Sequence, residues 1–140
     1  MDDYGIPKED RIVVDCGYVP DRAREAAREL LAGPLPPTAF LCQGDNMALA
    51  VREAIFEAGL KIPGDIALVG FDDIDFSSVT GVDLTTVSHR QYEMGAKGAE
   101  LLLKKLDRSK GKAMGQNITL QPELIVRKSC GHGIAGYRLE

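Results

Sequence analysis

The chain sets its candidate chemistry just beyond its apolar runs. Ile66, Ala67, Leu68 and Val69 form an unbroken apolar stretch, Gly70 punctuates it, and Phe71, Asp72, Asp73 and Asp75 follow. A run of this kind predicts a short strand buried on both faces of a parallel sheet. In open α/β folds, ligands bind beyond the carboxyl ends of such strands. Carboxylates presented there accept hydrogen bonds from the hydroxyl or N–H groups of a polar small molecule. Two more strand ends carry candidates, Cys16-Gly17-Tyr18 and Gln43-Gly44-Asp45. Tyr18 and Phe71 are placed to stack on a ring and Asp72 to accept its polar hydrogens, which suits a sugar or a nucleobase.

Each of these residues also has a purely structural use. Asp45 precedes a helical pattern, where an N-cap carboxylate contributes about 1 kcal/mol. Phe71 serves equally as a wall of the core, and Asp73 and Asp75 as solvated or loop-ordering acids. Catalytic readings find little support. Asp72 and Asp73 are adjacent, so their side chains diverge, unlike a spaced acid–base pair. His89 and His132 stand near no Cys or Ser in a nucleophile motif, and no glycine-rich phosphate cradle is present. The chain is therefore expected to be no enzyme, with no metal and no cofactor.

The elements that must position these groups follow from periodicity. Arg11–Asp15 is β-branched and reads as a strand. Pro20-Asp21 opens a helix over 21–32, with Asp21 as N-cap and Ala23, Ala26, Ala27, Leu30 and Leu31 recurring on one face. Strand 38–42 leads through Gln43-Gly44 to a helix from Asn46 to Ala58, with Met47, Ala50, Val51, Ala54, Ile55 and Ala58 inward and Gly59 as its stop. After strand 66–69, residues 82–87 read as extended and 91–106 as a long helix. Leu101-Leu102-Leu103 makes that helix wider in apolar surface than one core-facing stripe. A polar connector over 107–116 precedes strands at 117–120 and 123–128, and a tail ends the chain. The order β-α-β-α-β, then β-α-β-β, predicts an α/β fold with a mainly parallel sheet flanked by helices.

Bulk properties bound the function. The 140 residues suit one domain, and 44% hydrophobic with 27% charged residues is a globular composition. A formal net charge of -4 and the lack of a dense Lys/Arg surface argue against this chain holding nucleic acid by itself. Three widely spaced cysteines, Cys16, Cys42 and Cys130, form no zinc or disulfide framework and read as thiols in a reducing compartment. No signal peptide or membrane span is apparent, so a cytoplasmic location is expected.

Four stretches in order resemble one family: Pro37–Ala50 around Gln43-Gly44-Asp45-Asn46, Gly59–Asp73 around Val69-Gly70-Phe71-Asp72-Asp73, Leu84-Thr85-Thr86-Val87, and Pro122–Arg127. They are similar to the effector-binding region of LacI/GalR-type bacterial transcription regulators, over approximately residues 11–130. The resemblance implies a periplasmic-binding-protein-like fold of type I, of which this chain supplies essentially one lobe of two. By it, residues 1–10 are a leading loop, 11–87 belong to the second lobe, 88–116 return toward the first, 117–130 are closing strands and 131–140 a tail. The helix-turn-helix and most of the first lobe would lie outside this chain. A second copy, or the missing lobe, would then cover the apolar face of Leu101–Leu106.

The resemblance assigns Asp72 to the effector-contacting Asp of Gly-[Phe/Tyr]-Asp and Tyr18 to an aromatic that packs on ligand in some members. Gly44 stands where many sugar-responsive members carry Asn, while purine-responsive members can also have Gly. The implied ligand-binding set is Asp72, Tyr18, Phe71, Gly44 and Asp45, with Leu49 at a homodimer interface. The implied function is to sense a sugar or nucleoside/purine-like effector and control DNA binding by the absent helix-turn-helix. A periplasmic-type sugar-binding protein of a transport system is the alternative.

Overall fold

A computed structural model describes residues 5, 7, 11–106 and 116–133 of the chain. Alanine-rich stripes decide how the first two helices meet. Helix α1 spans Pro20–Ala32 and buries Ala23 and Ala27; helix α2 spans Asp45–Glu57 and buries Met47, Ala48, Val51, Ala54 and Ile55. These small side chains let the helices pack closely on one shared core. Arg24–Glu53 at 3.0 Å and Arg28–Glu57 at 2.7 Å lace the wet edge of the pair. The Arg28 hydrogen bond holds the Glu57 carboxyl below its ordinary range.

Helix ends follow local rules, with one departure. Pro20 occupies the first turn of α1, where its missing N–H costs nothing. The N-cap is Val19 and not Asp21, which lies inside the first turn beside Arg24 at 3.7 Å. At the end of α2, Gly59 adopts φ 75°. Its N–H donates to the Phe56 carbonyl and that of Leu60 to the Ile55 carbonyl, the paired closure that the expected glycine stop requires.

The sheet is parallel where the sequence pattern predicts it. Strand β1 (Ala39–Leu41) pairs in parallel with β2 (Ala67–Val69), Phe40 opposite Leu68. A parallel bridge from Val69 to Thr85 carries the sheet on to β3 (Thr86–Ser88). Strand β4 (Glu123–Ile125) then runs antiparallel to β3, Thr86 opposite Ile125. Ile55, Leu68 and Leu84 are fully buried between the helices and this sheet, each contributing roughly 1.5–3 kcal/mol.

Two expected strands need revision. Residues 11–15 form no strand: among the described residues β1 pairs only with β2, and Val13 is 84% exposed. Residues 117–120 likewise form none, and the closing strand is limited to Glu123–Ile125. Helix α3 (Gln91–Leu106) has the expected bounds but buries no residue, and Met94, Leu102, Leu103 and Leu106 are exposed. Its apolar width exceeds what the described residues cover. Most of the leading loop, the connector over 107–115 and the tail from 134 lie outside the described residues. Among the described residues no helix is long and apolar enough to cross a membrane.

One buried acid ties these pieces together. Asp45 is the first residue of α2, is 0% exposed, and makes no cap bond; Gly44 is the N-cap. Its Oδ1 accepts from Thr86 Oγ1 at 2.6 Å, and its Oδ2 from Ser77 Oγ at 2.7 Å and the Ile74 N–H at 3.0 Å. A capping role therefore gives way to a tertiary one, because three better-oriented donors surround the carboxylate. Gly70 makes the room: a Cβ there would run into Asp45 Oδ1 and stand 3.0 Å from Leu84 Cδ2. Asp45→Ala should lose about 3 kcal/mol or more in urea denaturation, since it orphans buried donors. Gly70→Ala should lose roughly 1–3 kcal/mol by overpacking. Wild-type midpoints for either variant would refute this arrangement.

Candidate functional site

Where β2 ends, the chain is knitted into a tight loop between α2 and β3. The Gly70 N–H donates to the Thr85 carbonyl at 2.9 Å, the Asp72 N–H to the Val87 carbonyl at 2.9 Å, and the Asp45 N–H to the Phe71 carbonyl at 2.7 Å. Within this frame Asp72 adopts φ 114° and Asp73 φ 54°. Two consecutive non-glycine residues at positive φ are costly, and such strain concentrates where a side chain must be aimed.

The loop sends its acids to different fates. The Asp72 side chain is 37% exposed, and its Oδ1 lies 3.7 Å from His89 Nδ1. Its Oδ2 stands 3.3 Å from where a Cβ of residue 44 would be, so the carboxylate packs against the N-terminal end of α2. Asp73 instead turns inward to Arg127 at 2.7 Å. Asp75 is exposed and begins a 3-10 turn over Asp75–Ser78. The Phe71 ring stacks on His89, with centroids 5.5 Å apart and planes at 19°. His89 Nδ1 is buried with no hydrogen-bond partner, facing Asp72 across a gap too long for a hydrogen bond. Beside this group opens a concavity of about 460 Å³ lined by Asp72, Asp73, Ser88, Arg90, Gln91 and Tyr92, among others. A carboxylate open to this concavity can accept hydroxyl or N–H hydrogens, and the aromatic pair beside it, which does not itself line the concavity, offers an apolar face.

Of the expected site residues, Asp72, Phe71 and Gly44 come together here. Asp45 does not join them at the surface: with no exposed area and three internal donors, it holds the loop from beneath. Tyr18 stands 77% exposed on a Gly17–Tyr18 turn, both residues at φ 57°, and does not line the concavity. Leu49 is half-buried on α2.

Sequence reasoning passed over the end of β3. Ser88-His89-Arg90-Gln91 is a polar run directly after a β-branched strand, the same signal that marked the other three strand ends. It supplies His89 to the stack and Gln91, whose Nε2 donates to the Asp72 carbonyl at 3.2 Å. Arg127 was likewise missed, because nothing in its local sequence pairs it with Asp73, 54 residues away. Among the described residues, no three His, Cys, Asp or Glu side chains gather as metal ligands would. Cys42, just ahead of Gln43-Gly44, has its thiol pushed up to about 12, first by burial and then by Cys16 and Asp45 nearby.

Comparison with known proteins bears on this geometry. A family model described as periplasmic binding protein-like domain matches residues 3–130. The arabinose metabolism transcriptional repressor of Geobacillus stearothermophilus is 44% identical over 107 residues, which are 75% of this chain and 29% of that protein. The HTH-type transcriptional repressor CytR of Escherichia coli K12 is 34% identical over 126 residues, 89% of this chain and 36% of its own. Among solved structures, a LacI family transcriptional regulator from Enterococcus faecium with bound ribose aligns at TM-score 0.77 and 26% identity, covering 91% of this chain and 46% of that one. Another from Arthrobacter sp. FB24, in complex with lactose, aligns at TM-score 0.71 and 29% identity, covering 81% and 42%. The chain spans about a third of the length of the curated relatives it matches.

The environment of Cys42 offers a check on the loop's packing. In the folded chain at pH 8, Cys42 should resist alkylation by iodoacetamide over hours, because the reactive thiolate is scarce when burial raises the pKa. Unfolding in urea should expose it to complete labelling, read by peptide mass spectrometry. Rapid labelling of the folded protein would mean that the strand end is open.

Proposed function

The chain belongs to the periplasmic-binding-protein-like family, within the LacI-type transcriptional regulators, and we propose that it is the effector-sensing part of such a regulator, responsive to a sugar or a nucleoside-like molecule. The observation that carries this reading is the Asp72 carboxylate, held at the end of β2 beside the stacked Phe71 and His89 and open to the concavity. A polyhydroxylated ring presents hydroxyl donors to a carboxylate and an apolar C–H face to an aromatic surface. The arabinose repressor among its relatives, and the neighbours solved with ribose and with lactose, favour the sugar. Gly44 leaves space against Asp72 where a larger side chain would stand. Tyr18, being exposed, is free to approach a ligand from the turn ahead of α1.

In this reading the remainder of a longer protein supplies the second wall of the cleft and the DNA-binding head, and a homodimer forms through α2 around Leu49. Effector binding favours one arrangement of the lobes, and that preference reaches the DNA-binding heads as a coupling free energy. The repressors among its relatives support regulation over transport and over catalysis.

Thermal-shift screening of the protein against pentoses, hexoses, disaccharides, nucleosides and purines tests the reading. One class should raise Tm by several degrees, since ligand at a hundredfold above Kd stabilises by about 2.7 kcal/mol. Asp72→Asn should weaken that ligand about tenfold to a hundredfold, the loss expected for a hydrogen bond to a charged group. Equal stabilisation of both proteins would remove Asp72 from the site.

A further inference from the structure

Asp72 cannot hold its conformation alone. It and Asp73 are consecutive non-glycine residues at φ 114° and 54°, a geometry that persists only when surrounding contacts over-determine it. The hydrogen bonds from the loop N–H groups to Val87 and Asp45 fix the backbone from the side of β3 and α2. At Asp73 the N–H donates to Thr86 Oγ1 at 3.4 Å, and the side chain is held by one guanidinium. Arg127 Nη2 donates to Asp73 Oδ1 at 2.7 Å, while its Nη1 donates to the Leu84 carbonyl at 2.7 Å. The two side chains are 19% and 25% exposed, so water screens the pair poorly. Arg127 is itself anchored. Its N–H donates to Thr85 Oγ1 at 2.9 Å and its carbonyl accepts from the same hydroxyl at 3.1 Å. Two residues on, Ser129 Oγ accepts from the Thr85 N–H at 2.8 Å and donates to the Leu68 carbonyl at 2.6 Å.

We propose that Arg127 is a positioning residue for the ligand-facing carboxylate. By holding Asp73 inward with a guanidinium that also binds the Leu84 carbonyl, it forces the neighbouring Asp72 outward, and by pairing the Asp73 charge it leaves Asp72 as the open acceptor beside the concavity. The arrangement needs arginine. A lysine presents one ammonium centre and cannot span Asp73 and the Leu84 carbonyl with the fixed fork of a guanidinium. It also joins the segment following β4 to the site, so whatever shifts residues 126–129 relative to β3 changes how Asp72 is presented. The inference rests on the reading of Asp72 as the ligand-facing group.

Hydrogen exchange of the whole chain, with mass-spectrometric or NMR readout, tests it without any ligand. In Arg127→Met, which keeps the aliphatic stem, the amides of Asp72, Asp73 and Ile74 should exchange at least tenfold faster while those of Val51 to Ile55 in α2 remain as in wild type. Arg127→Lys should fall between, and Asp73→Asn should reproduce the local effect from the other side of the pair. Loop amides unchanged in Arg127→Met overturn the proposal. So does uniform acceleration across loop and α2 in all three variants, which would make the pair a general structural contact. Asp72→Asn separates this from the functional reading: it should reduce the thermal shift given by the stabilising class of the screen, in line with a tenfold to hundredfold weaker Kd, while leaving Arg127-dependent protection of Asp73 and Ile74 in place.

Discussion

The carboxylate of Asp45 is the constraint on which the rest of the site depends. It sits at the start of α2 with no exposed surface, and its acceptors are filled by the Thr86 and Ser77 hydroxyls and the Ile74 amide. Two of those donors come from the stretch 74–77 that enters the 3-10 turn and one from β3, so one acid ties both segments to the start of α2. A buried polar cluster of this kind is stabilising only when every member is satisfied, and here each donor meets an acceptor. Gly70 follows from it, since any side chain at that position would collide with the carboxylate.

Burial then sorts four acids of one spatial neighbourhood into four tasks. Asp45 is fully enclosed and structural, and Asp73 is half-enclosed and paired with Arg127. Asp72 is turned toward the concavity with an imidazole and the start of α2 beside it, and Asp75 is left to water at a turn. The residues are chemically alike. The difference lies in which donors the fold brings to each carboxylate and how much solvent reaches it. The strained backbone at Asp72 and Asp73 is the local cost of pointing two adjacent side chains in opposite directions.

Much of the fold was legible in the sequence because it rests on local rules. Helical spacing of alanines and leucines placed α1, α2 and α3 to within a residue or two, and Gly59 closes α2 in the left-handed conformation its position suggested. The apolar run 66–69 became a central strand. The misplaced strands at 11–15 and 117–120 have a common cause. β-branched composition marks a segment as fit for a sheet, but a strand exists only where a neighbouring ladder accepts its hydrogen bonds.

At the site, the sequence by itself determined which residue types stand at the strand ends, and it singled out Asp72 among them. It also carried the ordered motifs that identify the family. Tertiary structure alone decided that Asp45 is a buried tie and not a cap, that His89 stacks on Phe71, and that Arg127 holds Asp73. The reason is that these interactions join residues 18 to 54 positions apart. Hydrogen bonding and charge pairing over such separations are set by where packing delivers the groups, and no periodicity within a single helix or strand encodes that.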